Sequence, residues 1–227
     1  MINPFGFLIT VIFYKLAKLC IKFPVIGKLP PIVIAGIGVI AVLAGFNIDF
    51  EYYNESASFL TFLLIPATIA LGYPIFKQKK LLMKNKRIIF TAFFVACILG
   101  LSTTYLTAKL CHTDLKIIES MLPKSVTAPI AIEISKTIGG IPELTACIVV
   151  LTGVFGAMTG HKILEWVKVK SDVAIGLAIG AASHVIGTAR CAEKGKEKQM
   201  VMASVAFIIV GIITAFLAPI FVNLLLE

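Results

Sequence analysis

A cation and two hydroxyls lie between two prolines inside an apolar stretch, Met121-Leu-Pro-Lys-Ser-Val-Thr-Ala-Pro-Ile-Ala-Ile-Glu-Ile-Ser135. Pro123 and Pro129 lack an N–H and crowd the preceding turn, so a helix running through them loses backbone hydrogen bonds. In hydrocarbon, freed backbone groups and a charged side chain persist only where protein or water surrounds them. The stretch is therefore expected to face a cavity. A helix that restarts after a break presents unpaired N–H groups and the positive end of its dipole. An anion docks on such an end. Lys124 would add formal charge for a carboxylate, and Ser125 and Thr127 would add hydrogen bonds.

A second segment, Gly180-Ala-Ala-Ser-His-Val-Ile-Gly-Thr-Ala-Arg190, carries Ser183, His184 and Thr188, with Gly180 and Gly187 where the helix can open. SVTAPIA (125–131) and SHVIGTA (183–189) share Ser first, Ala last and a helix breaker fifth. That is a faint internal repeat, of the kind expected for a transporter with two broken helices at a shared site. A third candidate is Ile65–Pro74, where Pro66 and Pro74 bracket Thr68 and Gly72. Plainer readings stand beside each of these. Pro66 can be a simple kink, Lys124 can snorkel to an interface and His184 can be a packed histidine. Glu133 and Glu143 can be interfacial, and Arg190 can mark the membrane edge. Gly139-Gly140 reads as a hinge or turn before Pro142.

The elements that must hold these residues are membrane helices. Of 227 residues 59% are hydrophobic and 15% charged, with a mean hydropathy of +0.99. A soluble domain of this length needs more polar surface. Ile88–Leu106, Leu144–Gly160 and Val201–Leu226 are free of charge, and about 20 apolar residues cross a bilayer. The expected spans are about Pro4–Phe23, Leu29–Phe46, Ser56–Phe76, Ile88–Ala108, Ile117–Ser135, Pro142–Ile163, Val173–Ala189 and Met200–Leu225, the fifth and seventh interrupted. The first carries Lys15, Lys18 and Lys22 on one face; either it spans while the lysines snorkel, or it lies in the interface. The opening MINPFGFLIT has no basic n-region or small-residue cleavage site, so this segment is expected to be retained.

The net charge of +9 sits in short clusters between apolar runs, which argues for membrane loops and against nucleic acid. Lys15–Lys28, Lys77–Arg87 and Arg190–Lys198 are expected on the cytoplasmic side, and the acidic Asp49–Glu55 loop outside. Eight full spans then leave the lysines of Lys162–Lys170 outside, an exception that disappears if both interrupted segments are re-entrant. Gly156/Gly160 and Gly176/Gly180 fit close helix packing. Cys20, Cys97, Cys111, Cys147 and Cys191 are scattered and form no CxxC, so neither a disulfide framework nor a metal site is expected. HExxH, GxSxG, Walker A and GxGxxG patterns are absent. The adjacent Ser183 and His184 point about 100° apart on a helix, poorly placed for a nucleophile and its base. An enzyme is not expected.

LPKSVTAPIAIEIS, IGGIPELTA and GLAIGAASHVIGTARCAE resemble the signature regions of the LrgB/CidB family. FLLIPATIALGYPIFKQ is similar to that family's third-span motif; the likeness covers about residues 5–225, and residues 1–227 are expected to form one LrgB-like transmembrane domain. The family was first described as holin- or antiholin-like, modulating murein hydrolase activity and lysis beside a small LrgA/CidA-type membrane partner. Its plastid member is a glycolate/glycerate translocator, and bacterial members have been linked to pyruvate uptake. The resemblance implies a carboxylate carrier in a bacterial inner membrane. It carries Pro123, Lys124, Ser125, Thr127, Pro129, Ser183, His184, Gly187, Thr188 and Arg190 over as site positions.

The expectation is thus an all-α multi-pass protein of seven to eight transmembrane segments. Two are discontinuous and cross, with an internal repeat. A small monocarboxylate binds at Lys124, Ser125, Thr127, Ser183, His184 and Thr188, with Thr68, Glu133 and Arg190 as further positions. Pro66, Pro123, Pro129, Gly139, Gly140 and Gly187 are the breaks or hinges. No cofactor is expected beyond a coupling proton or Na+, and a homodimer is expected. The rival is a holin-like regulator acting with an LrgA-type partner.

Overall fold

The computed structural model describes residues 4–20, 29–70, 72–77, 79–84 and 86–225. Among them there is no strand. The helices are α1 (Phe5–Cys20), α2 (Pro31–Gly45), α3 (Phe50–Ser56), α4 (Ser58–Ala70), α5 (Gly72–Lys77), α6 (Lys79–Lys84), α7 (Lys86–Leu110), α8 (Leu115–Met121), α9 (Ala128–Ile138), α10 (Pro142–Trp166), α11 (Asp172–Glu193) and α12 (Glu197–Leu225). They fall into two compact units, Met1–Gly72 and Tyr73–Glu227.

In the first unit α1 packs on α2 and α3. The Gly6 N–H donates to Ser56 Oγ at 2.9 Å, and the Thr10 and Tyr53 hydroxyls lie 2.8 Å apart. The acidic segment is mostly a short helix, not a loop: the Asp49 side chain accepts from the Glu51 N–H and caps α3. Pro66 breaks nothing, because α4 runs past it to Ala70. The Thr68 side chain and Lys22 lie outside the described residues. α2 has 15 residues, about 22 Å of helix, less than the ~30 Å of a bilayer core.

In the second unit α7, α10 and α12 are continuous helices of 25, 25 and 29 residues, about 37–43 Å long. Four described helices are long and apolar enough to cross a membrane: these three and α11. α11, however, is not a rod. His184 has φ 42° and ψ −134°, outside helical geometry. Beyond it the chain doubles back, so a Cβ on Gly187 would lie 2.8 Å from Ile179 Cγ2. Eight residues of unbroken helix would put those positions about 12 Å apart. Both ends of α11 sit at one end of α10. Asp172 reaches His161 through Gln199, with Gln199 Nε2 donating to Asp172 at 2.7 Å and His161 Nε2 lying 3.0 Å from Gln199 Oε1. Arg190 and Lys194 are within electrostatic reach of the same histidine.

The segment from α8 to α9 is a second hairpin. It turns through Leu122–Thr127 and returns along α9 until the Ile141 N–H donates to Ser120 Oγ at 2.7 Å. This root lies at the opposite end of α10, where Thr145 Oγ1 contacts the Ser120 carbonyl and Ser135 Oγ. The two interrupted segments expected as full spans are therefore both folded back. The contacts show it: Ile141 meets Ser120, and Gly187 meets Ile179, pairs that a chain continuing in one direction would hold far apart.

The hairpins also remove the charge exception. α7 runs parallel to α12, with Cys97 beside Thr214 and Tyr105 against Phe221. Lys77–Arg87, Lys162–Lys170 and Arg190–Lys198 then all adjoin the same end of this unit. The first of these is largely helical, as α5 and α6, and not an open loop. Gly176 and Gly180 let α11 lie on α12, since a Cβ on either would run into the backbone of Gln199 or Ala203.

In a cysteine-free background, single cysteines at Lys168 and Lys194 should label from the same side of the membrane, and one at Thr113 from the other. Opposite labelling of positions 168 and 194 would mean that α11 crosses.

Candidate functional site

Each hairpin tip stops near mid-height of the long helices. The first tip carries Pro123, Lys124, Ser125 and Thr127 in two successive tight turns, with the Lys124 N–H bonded to the Met121 carbonyl and the Val126 N–H to the Pro123 carbonyl. Pro129 does not break a helix; it is one of the first two residues of α9, where its missing N–H costs nothing. Thr127 is the N-cap of α9 but makes no side-chain cap bond. The first N–H groups of that helix are thus left without the usual partner.

The side chains of the tip are under-partnered. The half-buried Lys124 ammonium donates to Thr104 Oγ1 on α7. Among the described residues it has no carboxylate partner; the ion pairs there are Lys136–Glu133 and Arg190–Glu193. Thr127 is 9% exposed and, like Ser125, has no side-chain hydrogen bond. Three buried hydroxyls hold the root: Thr145 Oγ1 lies 2.7 Å from Ser135 Oγ and 3.0 Å from the Ser120 carbonyl, with both serines fully buried. Gly139 ends α9 with φ +91°, a left-handed cap that favours glycine, and Gly140 packs against Ser120. Both lie in the turn between α9 and α10.

The second tip is packed against α10. His184 Nε2 lies 3.0 Å from the Val149 carbonyl, so this nitrogen carries the proton. Gly153 makes room for the imidazole and Gly156 for Ser183 Oγ. Ser183 is 1% exposed and its hydroxyl has no partner. The break is at His184, not at Gly187, which stays helical and admits the returning chain. Thr188 is turned inward on its own helix, donating to the His184 carbonyl at 2.9 Å.

The two hairpins meet at one cavity of about 50 Å³, which Ser125 and Leu122 line from the first and Ala181 from the second. Cys97 and Gly100 of α7 and Val210 and Thr214 of α12 complete it. Of the six residues expected to bind substrate, only Ser125 lines this cavity. Lys124 is held one helical turn away, on the threonine that itself donates to the Gly100 carbonyl at 2.7 Å. Ser183, His184 and Thr188 face α10 and their own backbone. Glu133 is exposed and paired with Lys136, and Arg190 pairs with Glu193 at 3.0 Å at the hairpin root. Neither belongs to the cavity. At that root burial, then Arg190, pushes the Lys194 ammonium below its ordinary range, and Glu165 opposes them. Thr104, Cys97, Thr214 and Thr145 were not singled out from sequence. Each is one polar residue in an apolar helix, a pattern without a periodic signal.

The LrgB-like family matches residues 10–224. The chain is 36% identical over 219 residues to an antiholin-like protein LrgB of Bacillus mycoides, covering 96% of this chain and 94% of that one. It is 36% identical over 195 residues to the antiholin-like protein LrgB of Bacillus subtilis, covering 86% and 84%. The uncharacterized protein YxaC of Bacillus subtilis is 32% identical over 216 residues, covering 95% and 93%. No solved structure matches.

His184→Ala keeps the strained backbone and loses the bond to Val149; His184→Gly loses the bond but relieves the strain, worth about 1–3 kcal/mol. In detergent both variants should melt below the wild type, with the glycine variant above the alanine variant. An alanine variant as stable as the glycine one would mean that the chain does not reverse at this residue.

Proposed function

The chain belongs to the LrgB-like family, and we propose that it is a bacterial inner-membrane carrier of small monocarboxylates, of the glycolate, glycerate, pyruvate or lactate type. One observation carries the reading: a half-buried ammonium without a carboxylate partner stands beside an uncapped helix N-terminus and two unpartnered hydroxyls. A cation inside an apolar bundle is costly unless something pairs with it. The Thr104 hydroxyl satisfies one N–H of Lys124 and none of its charge. A carboxylate bound to Lys124 and the first N–H groups of α9 would satisfy both.

Two features of the architecture support alternating access. The hairpins are rooted at opposite ends of α10, and both tips reach the same cavity. Withdrawal of one tip would open the cavity to one side while the other stays packed. The end next to the three basic segments is assigned to the cytoplasm. The Ser120–Ser135–Thr145 hydroxyls would fix the root of the outer hairpin, and the His161–Gln199–Asp172 chain the root of the inner one. The coupling ion is a proton or Na+.

A second reading draws on the relatives' names: an antiholin-like regulator acting with an LrgA-type partner. The two readings part on flux. In proteoliposomes, saturable uptake of a labelled short hydroxy or keto acid, without leakage of a trapped dye, is expected of the carrier. Lys124→Ala should weaken apparent affinity about 10- to 100-fold, the worth of one charged hydrogen-bonded pair. Equal uptake by both proteins would remove Lys124 from the mechanism, and dye-sized leakage would favour a pore.

A further inference from the structure

Beside the first hairpin tip, the cavity is lined by Cys97 on α7 and Thr214 on α12. A threonine in a membrane helix ordinarily turns its hydroxyl back to the carbonyl four residues earlier. Thr104, Thr107 and Thr159 do so here at 2.7 Å, and Ser204 does so at 3.0 Å. Thr214 does not. Its hydroxyl points to Cys97 Sγ at 3.5 Å, while the Val210 carbonyl, its natural acceptor, takes the Cys97 thiol instead at 3.9 Å. The thiol thus occupies the carbonyl and leaves the hydroxyl facing a sulfur, a weak acceptor. Thr214 is 5% exposed, so its hydroxyl is a buried donor without a good partner, held on the lining of a small cavity. A ligand oxygen would be a far better acceptor.

We propose that Thr214, oriented by Cys97, reads the oxygen on the carbon next to the carboxylate and so sets which short acid is taken. This rests on the carrier reading: the carboxylate goes to Lys124 and the α9 terminus, and the substituent then points across the cavity to α12. A site built to hydrogen-bond a hydroxyl or keto oxygen discriminates strongly against an analogue without one, because the buried polar group is then left unpaired. Thr214 and Ser125 both line the cavity and would together hold that oxygen.

The test is inhibition of labelled glycolate uptake in proteoliposomes by glycolate, lactate and pyruvate against acetate and propionate. The wild type should favour the three substituted acids. Thr214→Val, which keeps the shape, should cut that preference about tenfold, and Thr214→Ser, which keeps the hydroxyl, should retain it. Thr214→Ala, which cannot clash, gives a second reading should the valine variant not assemble. An unchanged preference in Thr214→Val or Thr214→Ala, or a wild type that takes all five acids alike, overturns the inference while leaving the carrier standing. A wild type with no saturable glycolate uptake overturns both.

Discussion

A half-buried ammonium group in an apolar helical bundle, facing a hydroxyl and no carboxylate, is the constraint around which the second unit is organised. The ordinary resolution for such a charge, a paired Asp or Glu, is missing among the described residues. Holding a charge in such a place takes a surround that supplies dipoles without supplying an anion. The turn before α9 does this: it carries an uncapped helix end and two hydroxyls without side-chain hydrogen bonds. An arrangement that leaves positive potential unspent is suited to a ligand that brings negative charge.

The rest of the unit serves to keep that region at mid-height. A hairpin can place a turn deep in hydrocarbon only if its backbone is buried in protein, and here each hairpin is clamped by small residues or by hydroxyls. Gly153 and Gly156 let the tip of α11 sit against α10, and Gly176 and Gly180 let its first half lie on α12. On the other side, Ser120, Ser135 and Thr145 tie the root of the first hairpin to α10. The backbone of His184 is forced into positive φ, a cost offset by its bond to Val149. Outward, Leu151, Phe155, Phe216 and Ile220 are exposed, as lipid contact requires.

Much of this was legible in the sequence. The charge-free runs became α7, α10 and α12 within a few residues of their expected ends, and Pro123 marked a true turn. The pairs Gly156/Gly160 and Gly176/Gly180 marked close packing, although Gly160 makes only an ordinary contact, 3.7 Å from Ile179. Of the two readings the sequence left open, full spans and re-entrant segments, the fold has the second. A kink and a reversal both begin with the same residues, and contacts such as that of Gly187 with Ile179 separate them. The basic Lys162–Lys170 segment held the clue, since its charge agreed with reversal and not with crossing. Pro66 looked like Pro123 by residue type yet lies inside a continuous helix. The cavity wall escaped notice because Cys97 and Thr214, 117 residues apart, acquire meaning only when α7 and α12 are side by side.

The most direct measurement is an experimental structure of the protein in lipid at saturating glycolate. The account predicts the carboxylate within hydrogen-bonding distance of Lys124 Nζ and the first N–H groups of α9, with the lysine drawn away from Thr104 toward the cavity. Glycolate bound elsewhere, or a continuous helix through residues 115–138 with Lys124 among the headgroups, would contradict it.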